Sequence, residues 1–150
     1  MNILIDQIKK LRKKTGAGIA DCRIALEEAK GDFKKAEALL KSWGIDKATA
    51  KSDRAVEAGL VETYVHGDGK IGSMVKINCE TDFVARTNEF KNLAHEIAMQ
   101  VAAMAPSDID TLLKQEYIRD QSIKIQDLIK QAISKLGENI VVKKIERFEI

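Results

Sequence analysis

Cysteine is nearly absent: Cys22 and Cys79 are the only two, far apart and in no CxxC spacing. A small secreted domain stapled by disulfides carries more, so the chain reads as a reduced, cytoplasmic protein. Proline occurs once, at Pro106, and aromatic residues make up only 5% of the chain. So few aromatic faces leave little for a platform on which single-stranded nucleic acid could stack. No apolar run approaches the ~20 residues of a membrane helix. Asp6, Lys9 and Lys10 fall where a signal peptide would be apolar. There is no GxxxxGK(S/T) phosphate loop, and Gly16-Ala17-Gly18 follows no strand. The soft metal ligands, His66, His95 and the two cysteines, are scattered without zinc spacing. No cofactor and no metal of its own is expected.

What is present suffices to fold. Hydrophobic residues form 45% of the 150, with Ile, Leu, Val and Ala spread throughout. That supports one domain, or one domain with a small helical module. The net charge is +2, but unevenly placed. Residues 1–54 hold 13 Lys/Arg against 8 Asp/Glu, residues 55–106 hold 4 against 7, and residues 107–150 hold 8 against 8. A basic N-terminal third fits solvated helix faces, or a helix-turn-helix on duplex DNA. Against the second, Glu27, Glu28 and Glu37 lie among the lysines, and no cluster of Arg, Asn or Gln is set to read base edges. No direct nucleic-acid contact is expected.

The period of the apolar residues divides the chain. Leu4, Ile8 and Leu11 recur at helical spacing within 2–14, and Thr15 to Gly18 break that helix. Ile19, Cys22, Ala25, Leu26 and Ala29 form the apolar face of a second helix over 19–30. Gly31 stops it and Asp32 caps a third. That third helix is expected to bury Phe33, Ala36, Leu39 and Leu40 and to end at Gly44. Residues 1–44 thus read as a three-helix module with a thin core and a surface to present. Residues 45–58, polar with small apolar residues, read as a linker. The period then becomes two: Leu60, Glu62, Tyr64 and His66 alternate with Val61, Thr63 and Val65. Gly67-Asp68-Gly69-Lys70 is a hairpin turn, and Ile71 to Cys79 return as a second strand. Phe90, Leu93, Ala94, Ile97, Ala98 and Val101 define a long helix closed by Pro106. Residues 108–118 read as a weaker helix, 122–136 as a clear one ending at Gly137, and 139–150 as a third strand. The expected fold is α+β: a three-helix bundle, then over 59–150 a small three-stranded antiparallel sheet packed with helices.

One stretch stands apart. Where the second strand ends, Thr81-Asp82-Phe83-Val84 set a carboxylate beside a large aromatic as the chain turns. The plain account makes Phe83 a core residue before Phe90 and Thr81 or Asp82 a helix cap. A thiol nucleophile at Cys79 with His95 as its base is opposed by the apolar strand that carries Cys79, where a thiol is buried and inert. Glu80 and Asp82 would need a cleft for paired acid–base work. Binding rather than catalysis is the expected activity, and the chain is not expected to be an enzyme.

Longer motifs carry a resemblance. Leu11-Arg12-Lys13-Lys14-Thr15-Gly16-Ala17-Gly18-Ile19-Ala20-Asp21-Cys22-Arg23-Ile24-Ala25-Leu26, continued by Glu28-Ala29-Lys30-Gly31-Asp32 and Ala36, resembles the first signature of translation elongation factor Ts. Ile77-Asn78-Cys79-Glu80-Thr81-Asp82-Phe83-Val84-Ala85-Arg86 resembles the second. The tail from Lys135-Leu136-Gly137-Glu138-Asn139-Ile140 to Arg147-Phe148-Glu149 is similar to the end of the compact members. The resemblance implies a ubiquitin-associated-like bundle at the N-terminus. It implies a partner, elongation factor Tu, whose GDP release the family accelerates without chemistry of its own.

By the same resemblance, Thr81, Asp82, Phe83 and Val84 form the wedge that disturbs the partner's magnesium. Arg12, Ile19, Ala20, Cys22, Arg23 and Lys51 form the partner-binding set. On the residues alone, Arg12 and Arg23 are equally compatible with solvated positions, and Ile19 and Cys22 with bundle core. The chain departs from the family's usual pattern at Ile19 and Ala20, where two methionines are usual, at Arg23, where lysine is, and at Ile24, where a polar residue is. Between Pro106 and Leu112 it is far shorter than the family, which there carries a second subdomain or its remnant. A homodimer through the C-terminal core, with the last strand as a pairing edge, is a further expectation, and no membrane partner is expected.

Overall fold

The computed structural model describes residues 5–150, so Leu4, expected on the apolar face of the first helix, lies outside the described residues. Helices α1 (Ile5–Thr15), α2 (Ile19–Glu28) and α3 (Phe33–Ala50) make the N-terminal bundle. Its buried cluster is Leu11, Cys22, Ala25, Leu26, Ala29, Ala36 and Leu40. Phe33 and Leu39, expected inside, are only half-buried at its rim. As expected, Asp32 caps α3, its carboxylate accepting from the Lys35 amide at 3.1 Å. Ile19 departs from the expected face and stands 58% exposed. Helical side chains tilt toward the N-terminus, so that of the first residue of α2 points beyond the packed turn.

Gly44 does not end α3, which runs on through it to Ala50. The buried positions of α3 step by four: Ala36 and Leu40 belong to the bundle cluster and Ala48 to a second cluster. Gly44 occupies the same row, where α3 crosses α7 (Ile125–Leu136). A Cβ at Gly44 would lie 3.0 Å from Ser134 Oγ and 3.3 Å from Ser134 Cβ. The glycine serves close approach of two helices rather than helix termination, at a propensity cost of about 1 kcal/mol. The first residues of the expected linker are therefore helical. α3 is one strut shared by both buried clusters.

Strands β1 (Ala58–His66), β2 (Ile71–Cys79) and β5 (Ile140–Glu149) form the antiparallel sheet, in the order β1-β2-β5. The hairpin turns at 67–70, pairing His66 with Ile71. On the inner face Val75, Ile77 and Cys79 are buried against α5 (Asn88–Met104), which contributes Phe90, Leu93, Ala94, Ile97, Ala98 and Val101. Ser73, also buried, donates its hydroxyl to the Ala98 carbonyl. The outer face leaves Val61, Val65, Met74 and Phe148 exposed. Ala105, left-handed at φ 45, ends α5 just before Pro106.

The weaker helix expected over 108–118 is shorter. α6 spans Ile109–Lys114, and a small hairpin follows, β3 (Glu116–Tyr117) with β4 (Asp120–Lys124). β4 takes the residues from which the next helix was expected to start, so α7 begins at Ile125 rather than 122. The reason lies on α5. Buried Gln100 donates to the Glu116 carbonyl and accepts from the Ile118 amide, both at 3.0 Å. Backbone groups satisfied there from outside have no need of a helix. Among the described residues no buried side-chain nitrogen or oxygen lacks a partner, and no helix is long and apolar enough to cross a membrane.

Candidate functional site

The corner between β2 and α5 is built from caps. Thr81 ends the extended chain and accepts the Val84 amide on its hydroxyl at 3.3 Å, which starts the one-turn helix α4 (Asp82–Ala85). Thr87 donates its hydroxyl to the Val84 carbonyl at 2.7 Å and accepts the Phe90 amide at 3.2 Å, which starts α5. Two caps six residues apart force the chain through one fixed turn. Val84 and Ala85 point inward and are buried.

Phe83 points out. It is 82% exposed, and so is not the core residue of the plain account; Phe90, wholly buried, fills that role. Leaving a phenylalanine in water forgoes about 2 kcal/mol of burial, which folding alone does not explain. Asp82 beside it is exposed and makes no ion pair among the described residues. Thr81 does cap a helix, as the plain account had it.

Behind the corner sits a polar network that periodicity did not reveal. Glu138 accepts from the Thr81 amide at 3.0 Å and the Thr81 hydroxyl at 2.8 Å. Glu80 accepts from the Asn139 amide at 2.8 Å and lies 3.6 Å from the Arg54 guanidinium. Buried Asn139 donates to the carbonyls of Ser52 and Arg54. The only hint in the sequence was Gly137, a helix stop that leaves the next residues free to bond elsewhere.

Cys79 is buried, and its thiol donates to the Thr81 carbonyl at 3.2 Å. Burial, then the nearby Glu138 charge, push its pKa up, the reverse of what a nucleophile needs. His95 does not serve it. His95 packs edge-on against Tyr64 at 5.8 Å, and Tyr64 pairs with Ser73, about 20 Å of strand from Cys79. Among the described residues no three His, Cys, Asp or Glu side chains gather as a metal would require.

The bundle set is divided. Arg12, Ile19, Ala20 and Arg23 are exposed, with Arg23 3.4 Å from Glu27. Ile24, 41% exposed, adds a second apolar residue to the outward face of α2. Cys22 lies beneath, fully buried, and burial raises its pKa. Lys51 caps the far end of α3. By connectivity it neighbours the Ser52–Arg54 carbonyls held by Asn139, not the face of α2.

An open cleft of about 980 Å³ lies between the bundle and α5 and α7, lined by lysines and carboxylates of both units such as Lys14, Glu37, Lys135 and Glu96. None of the corner residues lines it.

Comparison with known proteins gives one answer. The family model described as Elongation factor TS matches residues 80–150. The elongation factor Ts of Coprothermobacter proteolyticus is 40% identical over 195 aligned positions, covering 100% of this chain and 99% of that protein. That of Herpetosiphon aurantiacus is 38% identical, covering 100% and 98%. That of Fervidobacterium nodosum is 38% identical, covering 100% and 99%. Of the 195 positions in the first alignment this chain fills 150, which leaves 45 without a counterpart here.

Proposed function

The chain belongs to the elongation factor Ts family of translation elongation factors, and on that premise we propose that it is the guanine nucleotide exchange factor of elongation factor Tu, acting in the cytoplasm without catalytic chemistry of its own. The observation that carries this reading is Phe83, 82% exposed on a turn capped at both ends and anchored by buried Val84 and Ala85. A rigid, exposed aromatic beside a free carboxylate is a wedge. Inserted near the magnesium that links Tu to its GDP, Phe83 displaces the surrounding groups and Asp82 competes for their polar contacts. Mg²⁺ demands near-octahedral coordination at about 2.1 Å, so a small displacement loosens it, and the nucleotide follows. The coupling is reciprocal: GDP weakens the factor as the factor weakens GDP, so a rebinding nucleotide expels it.

The bundle holds the partner through Arg12, Ile19, Ala20 and Arg23, with Cys22 supporting them from beneath and Lys51 contributing from the end of α3. We place the 45 missing positions between Pro106 and Leu112, which α5 and α6 now join with hardly any loop. A homodimer is supported by the exposed outer sheet face of Val61, Val65, Met74 and Phe148 and by β5 as a free edge.

The test follows release of a fluorescent GDP from Tu. The intact chain accelerates release, and Phe83→Ala removes most of the acceleration, about tenfold or more, as an anchor residue does. Because Phe83 is exposed, its thermal midpoint stays that of the parent. An intact chain that binds Tu without accelerating release refutes the exchange reading and leaves a partner-binding protein.

A further inference from the structure

We propose that Glu138 and Asn139 are positioning residues of the wedge: Glu138 fixes the Thr81 cap on which α4 is built, and Asn139 ties the same corner to the end of α3. This rests on the exchange reading above.

A one-turn helix cannot hold itself, since isolated helices shorter than ~12 residues are marginal. α4 has two backbone bonds of its own kind, from Ala85 to Thr81 and from Arg86 to Asp82, both 3.2 Å. Its stability comes from its ends. The hydroxyl of Thr81 must present a lone pair to the Val84 amide, and a free hydroxyl rotates. Here it donates to Glu138 Oε2 at 2.8 Å, which turns its lone pairs toward Val84. The other oxygen of the same carboxylate takes the Thr81 amide. Glu138 therefore fixes both the backbone and the rotor of the cap with the two oxygens of one carboxylate, in charge-assisted bonds that solvent weakens because Thr81 is exposed.

The arrangement is reciprocal. The β2–β5 ladder ends at the pair Cys79 and Ile140. One step beyond, side chains take over: Glu80 accepts the Asn139 amide, and Glu138 accepts the Thr81 amide. Asn139 then spends both side-chain N–H bonds on the Ser52 and Arg54 carbonyls, and Arg54 faces Glu80. The wedge and the root of the bundle's strut are fixed to one another through this network.

The experiment uses the full chain with Glu138→Ala and the nearly isosteric Glu138→Gln. Amide hydrogen exchange of the free protein reads the cap without any partner. In Glu138→Ala the Thr81 and Val84 amides lose about tenfold of their protection, the factor for one lost charge-assisted bond, while Phe90 and Ile97 keep theirs. Glu138→Gln, which retains one acceptor, loses less. Unchanged protection at Thr81 overturns the proposal, whatever happens with Tu. In the GDP-release assay Glu138→Ala lowers the maximal rate about tenfold and leaves the half-saturating concentration unchanged. In the Phe83→Ala background it has no further effect. A raised half-saturating concentration at unchanged maximal rate, or a full additional loss on top of Phe83→Ala, also overturns it. If the intact chain accelerates nothing, the exchange reading fails by itself, and the amide measurement still decides whether Glu138 holds the cap.

Discussion

Among the described residues the bundle buries Leu11, Cys22, Ala25, Leu26, Ala29, Ala36 and Leu40, whereas the sheet domain buries Phe90 among a shell that includes Ile77, Ile97, Ile125, Val75 and Val101. The bundle's interior is largely small side chains, so its helices approach closely and its outward faces stay regular. The sheet domain's interior is large and branched, and it carries the irregular feature, a capped turn with an exposed aromatic. A thin core suffices to present a regular helical surface, whereas holding one exposed side chain in place takes a thick core and a polar network behind the turn. Truncating a large, fully buried side chain of each unit tests the difference. Phe90→Ala costs about 3–5 kcal/mol, and Leu26→Ala, with small neighbours that can close on the gap, falls toward the low end of the roughly 2–5 kcal/mol usual for leucine, both measured by urea unfolding. Equal losses would mean that the two interiors are equally packed, and the contrast would fall.

The same contrast explains what the sequence disclosed. Periodicity found the helices and the hairpin because each repeats a pattern over several turns or pairs. Asp32 was legible as a cap because capping is local. Gly44 was misread because a glycine at a helix end and a glycine at a helix crossing look alike in one dimension; only α7, arriving about 90 positions later, separates them. Phe83 lies seven residues before Phe90, a spacing that suits a shared buried face, yet the cap at Thr87 breaks the helix between them. Glu138 meets Thr81 across 57 positions and Asn139 meets Glu80 across 59. No spacing rule reaches that far, whereas Thr81-Asp82-Phe83-Val84 stands out locally, as a carboxylate beside a large aromatic at a strand end. The β3–β4 hairpin escaped because its partner is one buried glutamine on another helix.

A second measurement sharpens the contrast from the other side of the sheet domain. The Tyr117 hydroxyl donates to Glu96 at 2.7 Å, and Arg119 donates to the same oxygen. Burial first, then the bond to Glu96 and its charge, push the Tyr117 pKa up to about 12 from 10. The folded state therefore holds this proton more tightly than the unfolded chain does. The stability it contributes is fully present below pH 10 and is lost as the pH rises through about 12, on the order of 2 kcal/mol in all. Alkaline unfolding followed at several pH values reads that loss, and Tyr117→Phe abolishes the step. A step that survives in Tyr117→Phe assigns it elsewhere.

The smallest effect bears on how closely the two units meet. Gly44→Ala gains about 1 kcal/mol of helix propensity, and it also places a methyl 3.0 Å from Ser134 Oγ and 3.3 Å from Ser134 Cβ. The first contact is relieved by removing the hydroxyl; the second is set by the two helix axes. In the parent the gain and the crowding nearly cancel, so the single substitution changes stability little. In a Ser134→Ala background the nearest atom is gone, and Gly44→Ala becomes more favourable by about 0.5–1 kcal/mol, a coupling typical of side chains in contact. Strictly additive effects would mean that α3 does not rest on α7 at this point. The crossing of the two units would then be held by Ala48, buried in the sheet domain's cluster, and by the Asn139 bonds to the Ser52 and Arg54 carbonyls, rather than by the Gly44 contact.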